Sequence, residues 1–113
     1  MDDYEEIARL DDLTSGRPLA VDVGGRRVVL YRTADGVFAT DNVCPHRGGP
    51  LAEGDLIGNE IICPWHLWGF DVRTGICTGN DEVMVAHHDV KVVDGRVFIR
   101  LAPLSHPLAE ELG

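Results

Sequence analysis

The sequence predicts an all-β fold, and two observations lead to that prediction. Short runs rich in valine and isoleucine recur along the chain, and many of its 13 glycines fall at turn-like places between them. Alternation near residue 98 puts Val97 and Ile99 on one strand face and Phe98 on the other, so part of the sheet is expected to be covered on both sides. An antiparallel two-layer β-sandwich or a small barrel fits these features.

Three antiparallel hairpins are predicted at glycine-containing turns. Their strands and turns are 19–23 and 26–32 around Gly24 and Gly25, 28–32 and 37–40 around Asp35 and Gly36, and 89–93 and 96–100 around Asp94 and Gly95. The segment 11–18 has capping Asp and Ser residues and predicts one helical turn, which Gly16 and Pro18 should end early.

A single domain is expected over residues 1–113, because no repeat, linker or low-complexity block divides the chain. Strand signals weaken between about 43 and 80, where Gly, Pro, Cys, His and Trp crowd together. This middle is predicted to be an ordered, loop-rich subdomain with a function. The tail from about 102 to 113 contains two prolines and is predicted to be loosely held.

Charge and hydropathy exclude several classes of function. The chain has 10 basic and 19 acidic residues, a net charge of −9, which argues against nucleic acid and anionic membranes as partners. The first twelve residues contain six acids and only Arg9 as a base, unlike a signal peptide. Apolar runs such as Val28 to Tyr31 are far too short to span a membrane. A cytoplasmic protein is therefore expected, with partners that offer a basic surface.

Cysteine and histidine form the chemical signature of the middle segment. Cys44 and His46 stand in "CPHRGG", and Cys63 and His66 stand in "CPWHLW", with 16 residues between His46 and Cys63. Three cysteines are too few for a secreted disulfide scaffold, so metal binding is the better interpretation. Two thiols and two imidazoles make a four-ligand set.

The order of these ligands bears on the kind of metal centre. A mononuclear zinc site is possible with two cysteines and two histidines, but zinc motifs usually pair like with like. Here each loop offers one of each, and Pro45 stiffens the link between Cys44 and His46. Such mixed loops suit two adjacent metals better, as in a [2Fe-2S] centre where one iron takes both cysteines and the other both histidines.

The two motifs and their separation resemble the cluster-binding loops of Rieske-type [2Fe-2S] ferredoxins, and the similarity extends over nearly the whole chain. It implies a Rieske-type antiparallel β-sandwich with a smaller cluster-binding subdomain of two loops. It also implies one [2Fe-2S] cluster, with Cys44 and Cys63 on the inner iron and His46 and His66 on the outer iron. Trp65 and Trp68 are candidates for docking a partner or shielding the cluster.

The chain also departs from respiratory Rieske proteins at several positions. Gly49 and Trp65 stand where those proteins carry a loop-tying disulfide, and Trp68 and Phe70 stand near the places of two hydroxyl groups. Fewer hydrogen bonds to sulfur predict a low reduction potential, on the order of −150 mV. The loop "CTGNDE" at 77–82 lacks the proline of the third loop in many soluble relatives.

Other residues have structural interpretations. Gly48, Gly49, Gly69 and Gly75 are expected to allow unusual backbone angles or close approach. Cys77 is interpreted as a small buried filler. His87 and His88 are consecutive, so a strand should point them to opposite faces, as packing or surface residues.

The resemblance implies a one-electron carrier between an NAD(P)H or flavin reductase and a terminal oxygenase, either a diiron monooxygenase or a ring-hydroxylating dioxygenase. The chain is not expected to transform a substrate itself. An alternative is the small subunit of assimilatory NAD(P)H nitrite reductase. A zinc-stabilised interaction module without a redox role is the alternative from another class.

Overall fold

A computed structural model describes residues 3–45, 48–65 and 67–103 of the chain, and within them nine strands form two antiparallel sheets. The larger sheet has the order β1-β9-β8-β4-β3-β2 and the smaller has the order β5-β6-β7. The strands are β1 Glu5–Arg9, β2 Leu19–Val23, β3 Arg26–Thr33, β4 Gly36–Asp41, β5 Asp55–Ile57, β6 Glu60–Ile62, β7 Gly69–Asp71, β8 His87–Val93 and β9 Arg96–Arg100. Short 3-10 turns lie at Leu10–Asp12 and Leu51–Glu53.

The three predicted hairpins are confirmed. Gly24 and Gly25 join β2 to β3, and Asp94 and Gly95 join β8 to β9. Both turns have positive φ at their two central residues, as a type I′ turn requires. The β3–β4 turn is centred one residue earlier than predicted, because Gly36 already pairs with Thr33. The predicted helical turn in 11–18 also begins earlier, at Leu10, and ends at Asp12.

The larger sheet folds over to make a sandwich, as predicted. Its two halves, β1-β9-β8 and β4-β3-β2, are joined where Ala39 pairs with His88 and Thr40 pairs with His87. Apolar residues of the two halves then pack face to face. This first core contains Leu13, Val23, Val28, Leu30, Ala39, Val97 and Ile99.

A second core lies on the opposite face of β3, between that strand and the smaller sheet. Val29 and Tyr31 point into it, whereas Val28 and Leu30 point into the first core. The buried members of the second core are Val29, Tyr31, Cys44, Leu51, Ile61, Cys63, Phe70, Val72, Cys77 and Val85. Burial on both faces places β3 at the centre of the molecule, and Cys44 and Cys63 of the metal motif lie on one side of it.

The middle segment 43–80 is more regular than its sequence predicts. Strands β5, β6 and β7 lie within it and pair in series, with Ile61 opposite both Leu56 and Phe70. Each strand has three residues, which is too short for an alternating pattern to become visible in the sequence. The subdomain is therefore a small sheet that carries the loops.

A polar cluster connects the end of β4 to the end of the described chain. Asp41 accepts hydrogen bonds from Arg26 Nη2 at 3.1 Å and from His88 Nε2 at 2.8 Å. Ala102 donates its N–H to His88 Nδ1 at 2.9 Å and accepts from Arg26 Nη1 at 2.6 Å. Because Nδ1 accepts, the His88 proton lies on Nε2 and points to the carboxylate. We call Arg26, Asp41, His88 and Ala102 the β4 clamp.

Two predictions from the sequence, one for the consecutive histidines and one for the tail, concern residues at this clamp. His87 is partly exposed and His88 is buried, so the two rings do lie on opposite faces of β8. His88 is more than a packing residue, however, since both of its ring nitrogens are hydrogen-bonded. Ala102 is held by hydrogen bonds through both its N–H and its carbonyl oxygen. The rest of the predicted loose tail, from residue 104 onward, lies outside the described residues.

Within the part of the chain that the structure describes, no helix has the length and apolar character needed to cross a bilayer.

The β4 clamp predicts how stability depends on pH. Burial alone would raise the pKa of Asp41, but the His88 hydrogen bond and the charge of Arg26 outweigh it and hold the pKa below its ordinary value. The charged carboxylate therefore stabilises the fold above the unfolded pKa of about 4, and this contribution is lost as pH falls through the lower folded value. We expect Asp41→Asn to cost about 1–3 kcal/mol at pH 7, a deficit that shrinks on acidification.

The measurement is the thermal unfolding midpoint by circular dichroism from pH 7 downward. Asp22→Asn is the matched control, since Asp22 pairs with Arg27 and both side chains are more than half exposed. That surface pair should contribute little at any pH. A pH-independent deficit in Asp41→Asn would contradict the electrostatic explanation.

Candidate metal centre

The first cysteine loop is a closed turn that follows β4. Gly48 donates its N–H to the Cys44 carbonyl at 2.7 Å, and Cys44 donates its N–H to the Gly49 carbonyl at 2.9 Å. Gly48 has φ +79°. A left-handed residue that closes a turn of this length is usually glycine, because glycine has no Cβ to collide with the backbone.

The second cysteine loop, between β6 and β7, repeats these two hydrogen bonds. Leu67 donates its N–H to the Cys63 carbonyl at 3.1 Å, and Cys63 donates its N–H to the Trp68 carbonyl at 2.7 Å. The closing residue is again left-handed, with φ +60°, but here it is Leu67. The two loops thus share one backbone design, as the repeated Cys-Pro motif predicts, and they differ at the residue that closes the turn.

The two loops bring the thiols of Cys44 and Cys63 together in the second core. Both cysteines are buried, neither is in a disulfide, and the Cys44 side chain lies close enough to Cys63 to influence the pKa of its thiol. Burial raises the pKa of the Cys63 thiol, a backbone N–H of Trp65 directed at its sulfur lowers it, and the neighbouring Cys44 raises it again. The net effect is a raised pKa, so two adjacent thiolates need a positive partner to be stable here.

Gly49 and Trp65 connect the two loops by packing. A Cβ added to Gly49 would lie 2.8 Å from the Cys63 sulfur and 2.9 Å from Cγ of Trp65. These are the two positions where the resemblance to respiratory Rieske proteins places a disulfide. The structure puts them side by side and fills the space with the base of an indole ring instead of a covalent bond.

The remaining residues of the predicted site are placed only in part. His46 and His66 lie outside the described residues, so the structure brings together the two cysteines of the predicted ligand set. Trp68 packs against the second core, whereas Trp65 leaves 52% of its surface exposed. The exposed indole keeps Trp65 a candidate for partner contact, and Trp68 has a packing role.

Comparison with known proteins identifies the family. The family model of the Rieske [2Fe-2S] domain matches residues 3–97. The chain belongs to the Rieske [2Fe-2S] domain family. It is 36% identical over 98 residues to the ferredoxin component of the naphthalene 1,2-dioxygenase/salicylate 5-hydroxylase systems of a Ralstonia species, and this match covers 85% of the chain and 93% of the relative.

Two solved structures extend this similarity to the fold. The ferredoxin of carbazole 1,9a-dioxygenase from Nocardioides aromaticivorans IC177 superposes with a TM-score of 0.81 at 35% identity, covering 88% of this chain and 98% of the other. A chain from a complex of reduced oxygenase and oxidized ferredoxin in carbazole 1,9a-dioxygenase matches with a TM-score of 0.78 at 29% identity, covering 88% and 94%. The all-β Rieske-type fold is thereby confirmed.

The described residues of this Rieske domain fit a [2Fe-2S] cluster on its sulfur side. Two adjacent buried thiols can both ionise only where metal ions supply positive charge, and cluster irons are commonly held by thiolates. The backbone N–H of Trp65, which lowers the pKa of the Cys63 thiol, is the kind of outer contact that tunes such a centre. The donor chemistry and its surroundings thus agree with the family.

The third loop of the Rieske domain is held by its own hydrogen bonds. Thr78 donates its N–H to the Gly69 carbonyl at 2.9 Å and its hydroxyl to the Glu60 carboxylate. Cys77 donates its N–H to Val83 and buries its thiol in the second core, as expected of a small filler. These contacts keep the loop beside the second cysteine loop without the proline found in many relatives.

The four glycines singled out in the sequence all have structural reasons. Gly48 and Gly75 have positive φ, and Gly49 lies against the Cys63 sulfur. Gly69 is close to Glu60, since an added Cβ would lie 2.1 Å from its Oε2. The absence of a side chain at Gly69 thus allows the side chain of Glu60, in the same small sheet, to come close.

Sequence reasoning missed two features of this site. The first is the left-handed Leu67, which becomes visible in the sequence only when "CPHRGG" and "CPWHLW" are aligned so that Leu67 falls opposite Gly48. The second is a buried pair in which the hydroxyl of Tyr31, a member of the second core, lies 2.9 Å from the Thr40 hydroxyl. Burial raises the pKa of Tyr31, so it remains a neutral phenol.

The packing of Gly49 predicts a strong effect of one added methyl group. We expect Gly49→Ala to destabilise the domain by about 1–3 kcal/mol and to lower the cluster content, because the new Cβ would overlap the Cys63 sulfur and the Trp65 ring. The measurements are the unfolding midpoint and the iron and sulfide content of the purified protein. Gly79→Ala is the matched control, since a Cβ there meets nothing within 4 Å. Equal behaviour of the two variants would contradict this contact.

Proposed function

We propose that this protein is a one-electron carrier that takes electrons from a flavin or NAD(P)H reductase and passes them to a terminal oxygenase. The observation that carries the proposal is the pair of matched loops, each of which holds a buried cysteine at its base and continues to the surface. Membership of the Rieske family and the ferredoxin components among its relatives support it.

In this proposal the cluster is held by Cys44 and Cys63 as thiolates and by His46 and His66 as imidazoles. When bound, the cluster supplies a centre that accepts and returns a single electron. The cysteines lie in the second core, and the two histidines follow them along the loops. In this proposal the thiolate ligands lie inside and the imidazole ligands lie on the side of the partner.

The protein's own contribution is a rigid setting with limited access for water. Each loop is closed by two backbone hydrogen bonds, and the loops are joined through Gly49 and Trp65. Phe70 and Leu51 are buried in the same core as the two cysteines. A setting that does not rearrange when one electron is added keeps the cost of transfer low.

The charge of the chain and its relatives support the proposed acceptor class. A net charge of −9 favours encounter with a basic surface, which suits fast and transient electron exchange. A ferredoxin similar to this chain has been solved together with its oxygenase in carbazole 1,9a-dioxygenase. We therefore assign a terminal oxygenase as the acceptor.

The ligand assignment is tested by three cysteine variants. Cys44→Ala and Cys63→Ala should each abolish the reddish-brown visible absorption and lower iron and sulfide to background, because each removes one thiolate from the set. Cys77→Ala should retain both, since its thiol is interpreted as a core filler. Retention of the cluster in either of the first two variants, or its loss in Cys77→Ala, would contradict the assignment.

The carrier role is tested on the intact protein. Anaerobically purified protein should be coloured when oxidised and give an electron paramagnetic resonance signal on reduction with dithionite. The reduced protein should then return its electron to the oxygenase component of carbazole 1,9a-dioxygenase from Nocardioides aromaticivorans IC177 or of the Ralstonia naphthalene dioxygenase system. A colourless protein with one zinc per chain would favour the interaction module, and a coloured protein that reduces neither oxygenase would argue against this acceptor class.

A further inference from the structure

Leu67 closes the second cysteine loop in a backbone conformation that suits glycine. Its φ of +60° lies in the left-handed region, where the Cβ of an L-residue is close to the following carbonyl oxygen. The first loop makes the same closing hydrogen bond with Gly48 at the equivalent position. A glycine would therefore suit the backbone conformation at residue 67, so the presence of a leucine at this position needs another explanation.

Neither of the two apolar cores formed by the described residues provides such a reason. Leu67 is 75% exposed and belongs to neither of the two apolar cores. Its side chain therefore gains little from burial within the fold while its backbone remains in a costly region. Strain and exposure of a large apolar side chain at the same position point to a contact outside the chain.

The surroundings of Leu67 indicate what that contact is. Trp65, two residues before it in the same loop, is 52% exposed. A cleft beside Leu67 is lined by Trp68, by the third loop and by the carboxylate-bearing side chain of Glu60. The loop thus presents apolar groups with an acidic residue at one side, on a chain that is acidic as a whole.

We propose that Leu67 is a specificity-determining contact for the terminal oxygenase, and that it enters an apolar recess rimmed by basic residues on that partner. This inference rests on the proposed electron-carrier function. The complementary charge guides the encounter, and the leucine selects among acidic ferredoxins by filling or failing to fill the recess. A transient complex needs few such anchors.

The test separates the effect of backbone strain at residue 67 from the effect of the leucine side chain. Leu67→Asn keeps a side chain of similar size, is tolerated in the left-handed region and removes the apolar contact. Leu67→Gly removes the side chain and the steric conflict together. Both variants should retain the cluster and its reduction potential. Both should also be at least as stable as Leu67→Ala, which removes the contact but leaves a Cβ in the costly left-handed region.

The measured quantity is the second-order rate constant for electron transfer from the reduced protein to the two oxygenase components named above, followed by stopped-flow absorbance. We expect a decrease of about fivefold or more in both Leu67→Asn and Leu67→Gly, the size typical of losing an important interface residue. Val92→Thr is the matched control, since Val92 is an exposed apolar residue beside Thr33 and Ala34, which lie at the other end of β4 from the first cysteine loop.

Each other outcome overturns the proposal in a distinguishable way. Rate constants equal to the wild-type value in both variants would overturn the assignment of Leu67 alone. A changed reduction potential would assign Leu67 to the setting of the cluster instead of to docking. Concentration-dependent self-association of the wild type that the variants lose, with unchanged transfer, would identify a second copy as the occupant. A wild-type protein that holds its cluster but reduces neither oxygenase overturns the proposed function and this inference with it.

Discussion

The burial of β3 on both faces is the constraint on which the rest of the structure depends. Val28 and Leu30 join the core of the sandwich, while Val29 and Tyr31 join the core that contains Cys44 and Cys63. The strand therefore fixes the small sheet relative to the large one through side chains on alternate residues. A one-residue slip of β3 would exchange the two sets and disturb both cores at once. The position of the thiols is thus decided by packing at the centre of the molecule.

The cysteine loops add a second level of order that depends on backbone geometry. Each loop closes with one left-handed residue and two hydrogen bonds, so its shape does not rely on a long run of side-chain contacts. The loops are then joined by the packing of Gly49 against Trp65, at positions where the respiratory relatives are expected to carry a disulfide. A cytoplasmic setting, as predicted from the sequence, would disfavour such a disulfide. Van der Waals contact at this point holds the loops together without depending on the redox state of the surroundings.

The sequence was informative where a residue type has one dominant physical reason. Gly24, Gly25 and Gly95 predicted their hairpin turns because left-handed positions select glycine, and the two Cys-Pro motifs predicted paired loops. The strands of the small sheet escaped prediction because three residues cannot display a period of two. His88 escaped because its role depends on Asp41 and Ala102, which come near it only in the fold. The ligand histidines remain a prediction from the motif and its resemblance.

In the proposed function, the difference between the two loops separates the holding of the metal ligands from contact with a partner. Gly48 and Gly49 in the first loop are minimal residues, of which Gly49 gives Trp65 and the Cys63 sulfur the space they need. Leu67 and Trp68 in the second loop are large, and one points to solvent while the other packs inward. Because the backbone hydrogen bonds of the two loops are the same, these side chains are not needed to form the turn. Under the proposed function the exposed Leu67 is then available for contact with the acceptor, although its left-handed backbone would suit glycine.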